Sequence, residues 1–565
     1  MLARTTAFGI ITLVLLTACG ESSTETSSST TPADAGIAEG APARSDLEAM
    51  LHQHVAILAS DEYEGRAPAT AGEEKTINYL RRQFQDLGIA PGNGDSYFQP
   101  VEVTEITTRG EPALSIQGSD YQATLAYGEQ QVVGTTQQIP FVTVQGSEMV
   151  FVGYGIVAPE RGWNDYAGID VTDKTVVILV NDPGYATQDP ELFNGNAMTY
   201  YGRWTYKYEE AARQGAAAAI IVHETGPAGY GWEVVNNSWT GPQIGLTAAN
   251  LNGDRAEIEG WVTLESALDI FDGAGLDYYA LKEAAAQPGF TAVPMSDLRI
   301  NVTVENAVRT STSQNVIAMI PGTERPDETI IYTAHWDHLG VVPELEGDQI
   351  FNGAVDNATG TAALLALAKL HSEVPAQERS IVFLAVTAEE SGLLGSQWYA
   401  EHPIFPIETT VANINMDAMN TSGRTRDIIV VGAGSSELED YLEVAAASQN
   451  RYLRDEATPE RGFYYRSDHF NFAKVGIPAL YAESGIDHVE FGQEYGTTQG
   501  QDYTDNRYHQ PSDEYDPGWD LSGGVQDVQL YFEIASRLAN EATFPNWYEG
   551  NEFKSIRDAS ADQRP

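Results

Sequence analysis

The chain of 565 residues has one cysteine, Cys19. No intramolecular disulfide can form, and with Cys19 modified a metal centre has only His and carboxylate to draw on. Basic residues are also scarce: 31 Lys and Arg stand against 81 Asp and Glu, a formal net charge of -50. That balance excludes the basic footprint a nucleic-acid binder needs and reads as a solubilising, salt-adapted surface. Long hydrophobic runs are missing too. The run Ala7 to Leu16 is too short for a membrane span, and no later segment is apolar enough to be one. What remains is 42% hydrophobic with unremarkable Gly and Pro, enough for large cores and about two to four domains.

The N-terminus reads as an export signal. Arg4 precedes the apolar run, and Leu16-Thr17-Ala18-Cys19 closes it. This sequence resembles a bacterial lipobox. The resemblance implies cleavage before Cys19, lipidation of Cys19 and a membrane anchor, the plainer alternative being an ordinary signal peptide cut nearby. Gly20, rather than Asp, follows the cysteine. By resemblance to Gram-negative lipoproteins this implies the outer membrane, facing the periplasm or the cell surface. Residues 20–45, rich in Ser, Thr, Ala and Glu, read as a flexible linker.

Ordered structure is predicted from about residue 46. Leu47, Leu51, Val55 and Leu58 mark one helix, and Ile77, Leu80, Phe84 and Leu87 another, with a polar turn Ser60 to Arg66 between them. Residues 125–295 are richer in strand patterns, including Val176 to Val180 and Ala216 to Val222. From 296 to 545 apolar strand runs alternate with helical patterns: Thr329–Thr333, Thr361–His371, Ser380–Val386, Val411–Met416, Leu438–Ala446, Pro478–Tyr481 and Val528–Leu538. The alternation predicts an α/β fold with a mostly parallel central sheet flanked by helices. Residues 46–124 form the N-terminal part of that domain and 546–565 a C-terminal tail.

Six residues in this second half carry chemistry: His335, Asp356, the pair Glu389-Glu390, Asp417 and His509. Two imidazoles, three carboxylate ligands and one spare carboxylate are what two bridged zinc ions and a general base require. His335, Glu389 and Asp417 lie just past predicted strand ends, where α/β sheets gather ligands. Taken singly, each has a structural reading: a loop histidine, a solvated helix start, a helix cap.

The fragments Thr333-Ala-His-Trp-Asp-His-Leu-Gly340, Asn352-Gly-Ala-Val-Asp-Asn-Ala-Thr-Gly360, Ala388-Glu-Glu-Ser-Gly-Leu-Leu-Gly-Ser396 and Tyr508-His-Gln-Pro-Ser-Asp513 closely resemble the M28 family of cocatalytic zinc peptidases. The resemblance implies a zinc-exopeptidase-like fold and two zinc ions per chain. Asp356 would bridge them, His335 and Asp417 completing one site and Glu390 and His509 the other. Glu389 would be the general base. Asp337 would hold the His335 ring, and Asp513 would act similarly near His509. His469, in Arg466-Ser467-Asp468-His469, is the rival ligand to His509. His338 and His488 read as pocket or structural residues. A cis peptide after Asp356 is also implied. The segment Glu209 to Gly215 running into Ala216–Val222 looks like a protease-associated (PA) domain, inserted and β-rich, over 125–295. Its aromatic run Tyr200 to Trp204 would either lean over the site or pack as a loop.

The function implied is a secreted, lipid-anchored metallo-aminopeptidase acting on peptides, with a monomer expected. Two alternatives stand beside it: a carboxypeptidase or dipeptidase of the glutamate-carboxypeptidase type, disfavoured by the few residues after His509, and a non-catalytic binding protein on a peptidase fold, disfavoured by the complete residue set. The His and carboxylate donors alone do not discriminate zinc from cobalt or manganese.

Overall fold

The computed structural model describes residues 44–564 apart from Glu344; Cys19, the export signal and nearly all of the 20–45 linker lie outside the described residues. One large sheet organises the region that carries the six singled-out residues. Its strands run in the order Phe98–Thr108, Val293–Ile320, Arg379–Val386, Arg325–His335, Thr410–Asn415, Ala479–Ser484, Asp427–Val430 and Tyr452–Asp455. The four central strands are parallel, so their carboxyl ends open on one edge. Arg379–Val386 and Thr410–Asn415 are buried along their whole length, as strands covered on both faces should be.

Helices cover both faces. Gly360–Glu373 and Ser522–Asn540 pack with Arg44–Leu58 around one core that includes Leu47, Leu51, Leu364, Leu367, Val528 and Leu538. The spacing that predicted the first helix holds, since Leu47, Leu51, Val55 and Leu58 are all buried in it. The second predicted helix is Ala71–Asp86. The C-terminal residues are packed rather than loose: Trp547 is buried and donates to the Gly476 carbonyl, and Arg557 donates to the carbonyls of Thr410 and Val411.

A second sheet forms the lobe predicted at 125–295. It contains Leu114–Gln117, Gln122–Leu125, Gln131–Gly134, Phe141–Phe151, Thr175–Leu179, Ala218–His223 and Ile258–Thr263. Its hydrogen bonding starts at Leu114 and reaches Glu305, so the lobe extends past the expected range on both sides. The reason is the 28-residue strand Val293–Ile320, whose first half pairs with Phe141–Phe151 and whose second half pairs with the central sheet. Conversely Gln243–Leu246, inside 125–295, pairs with Phe98–Thr108 at the edge of the central sheet.

Candidate metal centre

Each ligand-type residue stands on the carboxyl edge of the parallel strands. His335 is the last residue of its strand, Glu389 follows Arg379–Val386 by three positions, and Asp417 follows Thr410–Asn415 by two. Asp356 lies in the buried turn before helix Gly360–Glu373, and its peptide bond to Asn357 is cis. Gly353 opens that turn at φ +54°, where a Cβ would lie 2.2 Å from the Asp356 carbonyl oxygen and 2.4 Å from the His338 ring, so only glycine fits. His509 is delivered from the loop after helix Gly492–Asn506.

These residues meet as two linked triads. His335 Nε2 lies 3.2 Å from Asp417 Oδ1 and 3.3 Å from Asp356 Oδ1. His509 Nε2 lies 3.3 Å from Asp356 Oδ2 and 3.1 Å from Glu390 Oε2. Asp356 therefore turns one oxygen to each imidazole. Ligand bonds of about 2.0–2.1 Å in a tetrahedron place neighbouring donor atoms about 3.3 Å apart, which is the imidazole–carboxylate spacing found in both triads. Donor atoms of His335, Asp356 and Asp417 also lie within 4.8 Å of one another, as do those of His335, Glu389 and Glu390 and those of His338, Asp356 and Glu390. Glu389 is thus within reach of the first triad without being part of its closest set.

The electrostatics point the same way. Burial lowers the His335 pKa, but Glu389, Asp417 and Asp356 outweigh it and hold the ring well above its usual range. Burial opposes the charge on His509 too, yet Asp356 and Glu390 raise it to about 10. Burial, together with Asp417, Glu390 and Asp468, pushes Glu389 well above the carboxylate range against the pull of His335. Four carboxylates, those of Asp356, Asp417, Glu389 and Glu390, crowd around the imidazoles of His335, His509 and His338. Divalent cations would supply compensating charge directly, and the donor set of imidazole and carboxylate suits zinc.

The supporting contacts differ from the expected ones at Asp337 and Asp513. The His335 Nδ1–H donates to the main-chain carbonyl of Asp337 at 3.2 Å, while the nearer carboxylate oxygen of Asp337 is 3.9 Å away. The carbonyl fixes the tautomer that leaves Nε2 free. The Asp337 carboxylate instead accepts the Glu389 amide at 3.2 Å, and burial raises its pKa to about 7. Asp513 does not orient His509. Its carboxylate accepts the amides of Val355 at 3.0 Å and Asp356 at 3.1 Å, and so positions the shared carboxylate from its own backbone. His469 is not drawn into either triad; it is fully buried between the rings of Tyr464 and Tyr481, and burial pushes its pKa down to about 3.

His338 stands behind Glu390, with Nδ1 2.6 Å from Oε1, leaving Oε2 for the His509 triad. His488 is remote from both triads; its Nδ1 accepts the amides of Glu490 and Phe491. In the second lobe, Tyr200 packs on Phe470 and Tyr465 of the region built on the central sheet, with ring centroids 5.0 and 6.1 Å away, and Tyr201 donates to Glu160. The aromatic run is at least in part a packed seam.

Four contributors escaped the sequence reading. Ser467 Oγ donates to Asp417 Oδ2 at 2.7 Å and is itself held by Asn415 Nδ2 at 2.7 Å. Asn357 ties the Asp356 turn to the Asp417 loop, donating to the Met416 carbonyl at 3.0 Å and accepting the Ala418 amide at 3.1 Å. Asp468, held by Ser396 Oγ at 2.6 Å, adds to the field at Glu389. Arg66 donates to the carbonyls of Trp336, Asn352 and Gly353. Ser467 and Asp468 sat inside a quoted motif; for Arg66 and Asn357 the partners are main-chain atoms of distant residues, which leave no mark on a single sequence.

Residues 315–532 match the model of Peptidase family M28. Aminopeptidase YwaD of Bacillus subtilis (strain 168) is 30% identical over 173 residues, 30% of this chain and 35% of that protein. The alignment thus spans about a third of that relative's length. A probable leucine aminopeptidase 2 of Aspergillus fumigatus is 24% identical over 452 residues, covering 78% of this chain and 72% of that one. Among solved structures, an aminopeptidase from Aneurinibacillus sp. strain AM-1 aligns with a TM-score of 0.47 at 21% identity, over 88% of this chain and 95% of that one. All six ligand-type and base residues fall inside the segment that matches Peptidase family M28.

Proposed function

We propose that the chain is a metallo-aminopeptidase that removes N-terminal residues from peptides at a two-zinc centre. The observation that carries the reading is the shared Asp356: its two oxygens face two separate imidazoles, and each imidazole has a further carboxylate of its own. His335, Asp356 and Asp417 would hold one zinc, and His509, Asp356 and Glu390 the other. Bound there, the metals would supply the Lewis acidity that makes a water nucleophilic near neutral pH and polarises a carbonyl.

The remaining chemistry belongs to the chain. A water oxygen adds to the scissile carbonyl carbon while Glu389 takes its proton. The C–N bond then breaks, and Glu389 returns the proton to the leaving amine. The Glu389 amide bound to Asp337 holds that carboxylate's backbone in place. The second lobe, with parallel strands Thr175–Leu179 and Ala218–His223 beside helix Trp204–Arg213, is read as a PA-type insert.

The chain lacking its first 19 residues is expected to release p-nitroaniline from leucine-p-nitroanilide, and a chelator should abolish that release, with zinc restoring it. Zinc-loaded protein that leaves this substrate intact while cleaving an N-acetylated acidic dipeptide would replace the aminopeptidase reading with the dipeptidase one. Export and anchoring through Cys19 are part of the same proposal. Cys19→Ala should shift the protein from the membrane fraction to the soluble fraction and stop incorporation of labelled palmitate; equal labelling of both forms would rule the anchor out.

A further inference from the structure

The residues that touch the ligand loops from behind come from a part of the chain outside the family match. The match begins at residue 315, yet the turn Asp61–Arg66 and the start of helix Ala71–Asp86 reach three of the loops. Arg66 is 1% exposed. Its Nε donates to the Trp336 carbonyl at 2.9 Å, one residue past His335. One terminal nitrogen donates to the carbonyls of Leu58 at 2.8 Å and Asn352 at 2.6 Å, and the other to the Gly353 carbonyl at 2.8 Å, three residues before Asp356. A single planar guanidinium therefore joins the His335 loop to the Asp356 turn. Lysine, a point donor on a flexible stem, cannot make that fork.

Two neighbours extend the support. Asp61 accepts from Asn352 Nδ2 at 2.9 Å. Glu73 accepts from Ser313 Oγ at 2.8 Å, and Ser313 Oγ is 2.6 Å from Thr387 Oγ1, two residues before Glu389. The Arg66 charge also lies under Asp337, Asp513, Asp356 and Glu390; burial lowers its pKa to about 10 against their pull, so it remains a cation at neutral pH. None of these three side chains touches a triad donor atom in the contacts above. Their bonds go to the frame that spaces the donors.

From this we infer that the segment Asp61–Glu73 braces the metal centre, with Arg66 as the positioning residue that sets the separation of the His335 loop and the Asp356 turn and thereby the affinity for metal. The inference rests on the metal reading of the site. It adds that metal retention depends on an N-terminal segment with no donor of its own. The geometry of metal ligands is commonly fixed by such outer contacts, whose loss typically weakens metal affinity about 10–100-fold.

The test compares the wild-type protein with Arg66→Lys and Asp61→Ala. Zinc affinity is read by competition with a chromogenic chelator, and the apparent Tm is read with and without zinc. Arg66→Lys should bind zinc about 10–100-fold more weakly and lose most of the Tm rise that zinc gives the wild-type protein. Asp61→Ala, at an exposed position, should weaken zinc binding in the same direction and by less, and it answers the question if Arg66→Lys fails to fold. A variant whose metal-free Tm falls while its zinc affinity stays within threefold of wild type would make the segment a merely structural part of the fold and overturn the inference. Wild-type protein that binds no zinc would instead remove the metal reading itself.

Discussion

Glu389→Gln is expected to lower kcat on leucine-p-nitroanilide by about 10²–10⁴-fold, the usual contribution of a positioned general acid–base group, with zinc content unchanged. The substitution is close to isosteric, so the loops that carry Glu390 and the Asp337 contact should keep their places; the Asp337 bond is made to the main-chain amide of residue 389 and survives any side-chain change. What disappears is an acceptor for the water's proton. The surroundings of Glu389 favour that role. It is adjacent in chain to the triad residue Glu390, and its carboxylate lies within 4.8 Å of the ligand atoms of His335 and Glu390. Paired measurements of kcat and metal content decide the matter. A fall of less than tenfold with full zinc loading would take the general-base role away from Glu389.

Asp356→Ala should have the larger effect, because one side chain serves both triads. Its removal takes a donor from the His335 side and another from the His509 side at once. Loss of both metals and of detectable peptidase activity is expected. By contrast, Asp417→Ala or His509→Ala should spare the opposite triad and leave about one zinc per chain. The folded chain should tolerate Asp356→Ala, since the turn around it is held by other groups: Asp513 accepts the Val355 and Asp356 amides and Arg66 holds the Gly353 carbonyl. Zinc per chain from elemental analysis, beside the Tm with and without zinc, reads the outcome. Retention of two zinc ions by Asp356→Ala would disprove the shared-ligand arrangement.

Much of this site was legible because it sits on regular structure. His335, Glu389 and Asp417 follow apolar runs whose length and composition mark buried parallel strands, and the strands form where those runs lie. Asp356 and His509 lie in turns with no periodic pattern around them, and only their motifs singled them out. The errors share a physical cause. The sequence reading assigned side-chain roles to Asp337 and Asp513, whereas the structure uses the carbonyl of one and the main-chain amides facing the other. Main-chain hydrogen bonds are available to every residue, so the sequence does not say where they will be used. Arg66 is the extreme case: it was read as part of a polar turn, yet all four of its bonds run to carbonyls, three of them more than 200 residues away. The lobe boundaries were missed for a related reason. A strand that passes from one sheet to another has no turn to mark the crossing: Val293–Ile320 alternates up to Asn306, stays exposed or half-buried over 307–312 and runs on unbroken into the buried Val316–Ala318.

That shared strand also has a mechanical consequence. Domains joined by loose loops can swing about them, but here one continuous spar of 28 residues is hydrogen-bonded into both sheets. Bending it sharply would break ladder bonds in one sheet or the other. The lobe is therefore tied to the edge of the central sheet by the same strand whose end, Val316–Ile320, pairs directly with the strand leading to Glu389.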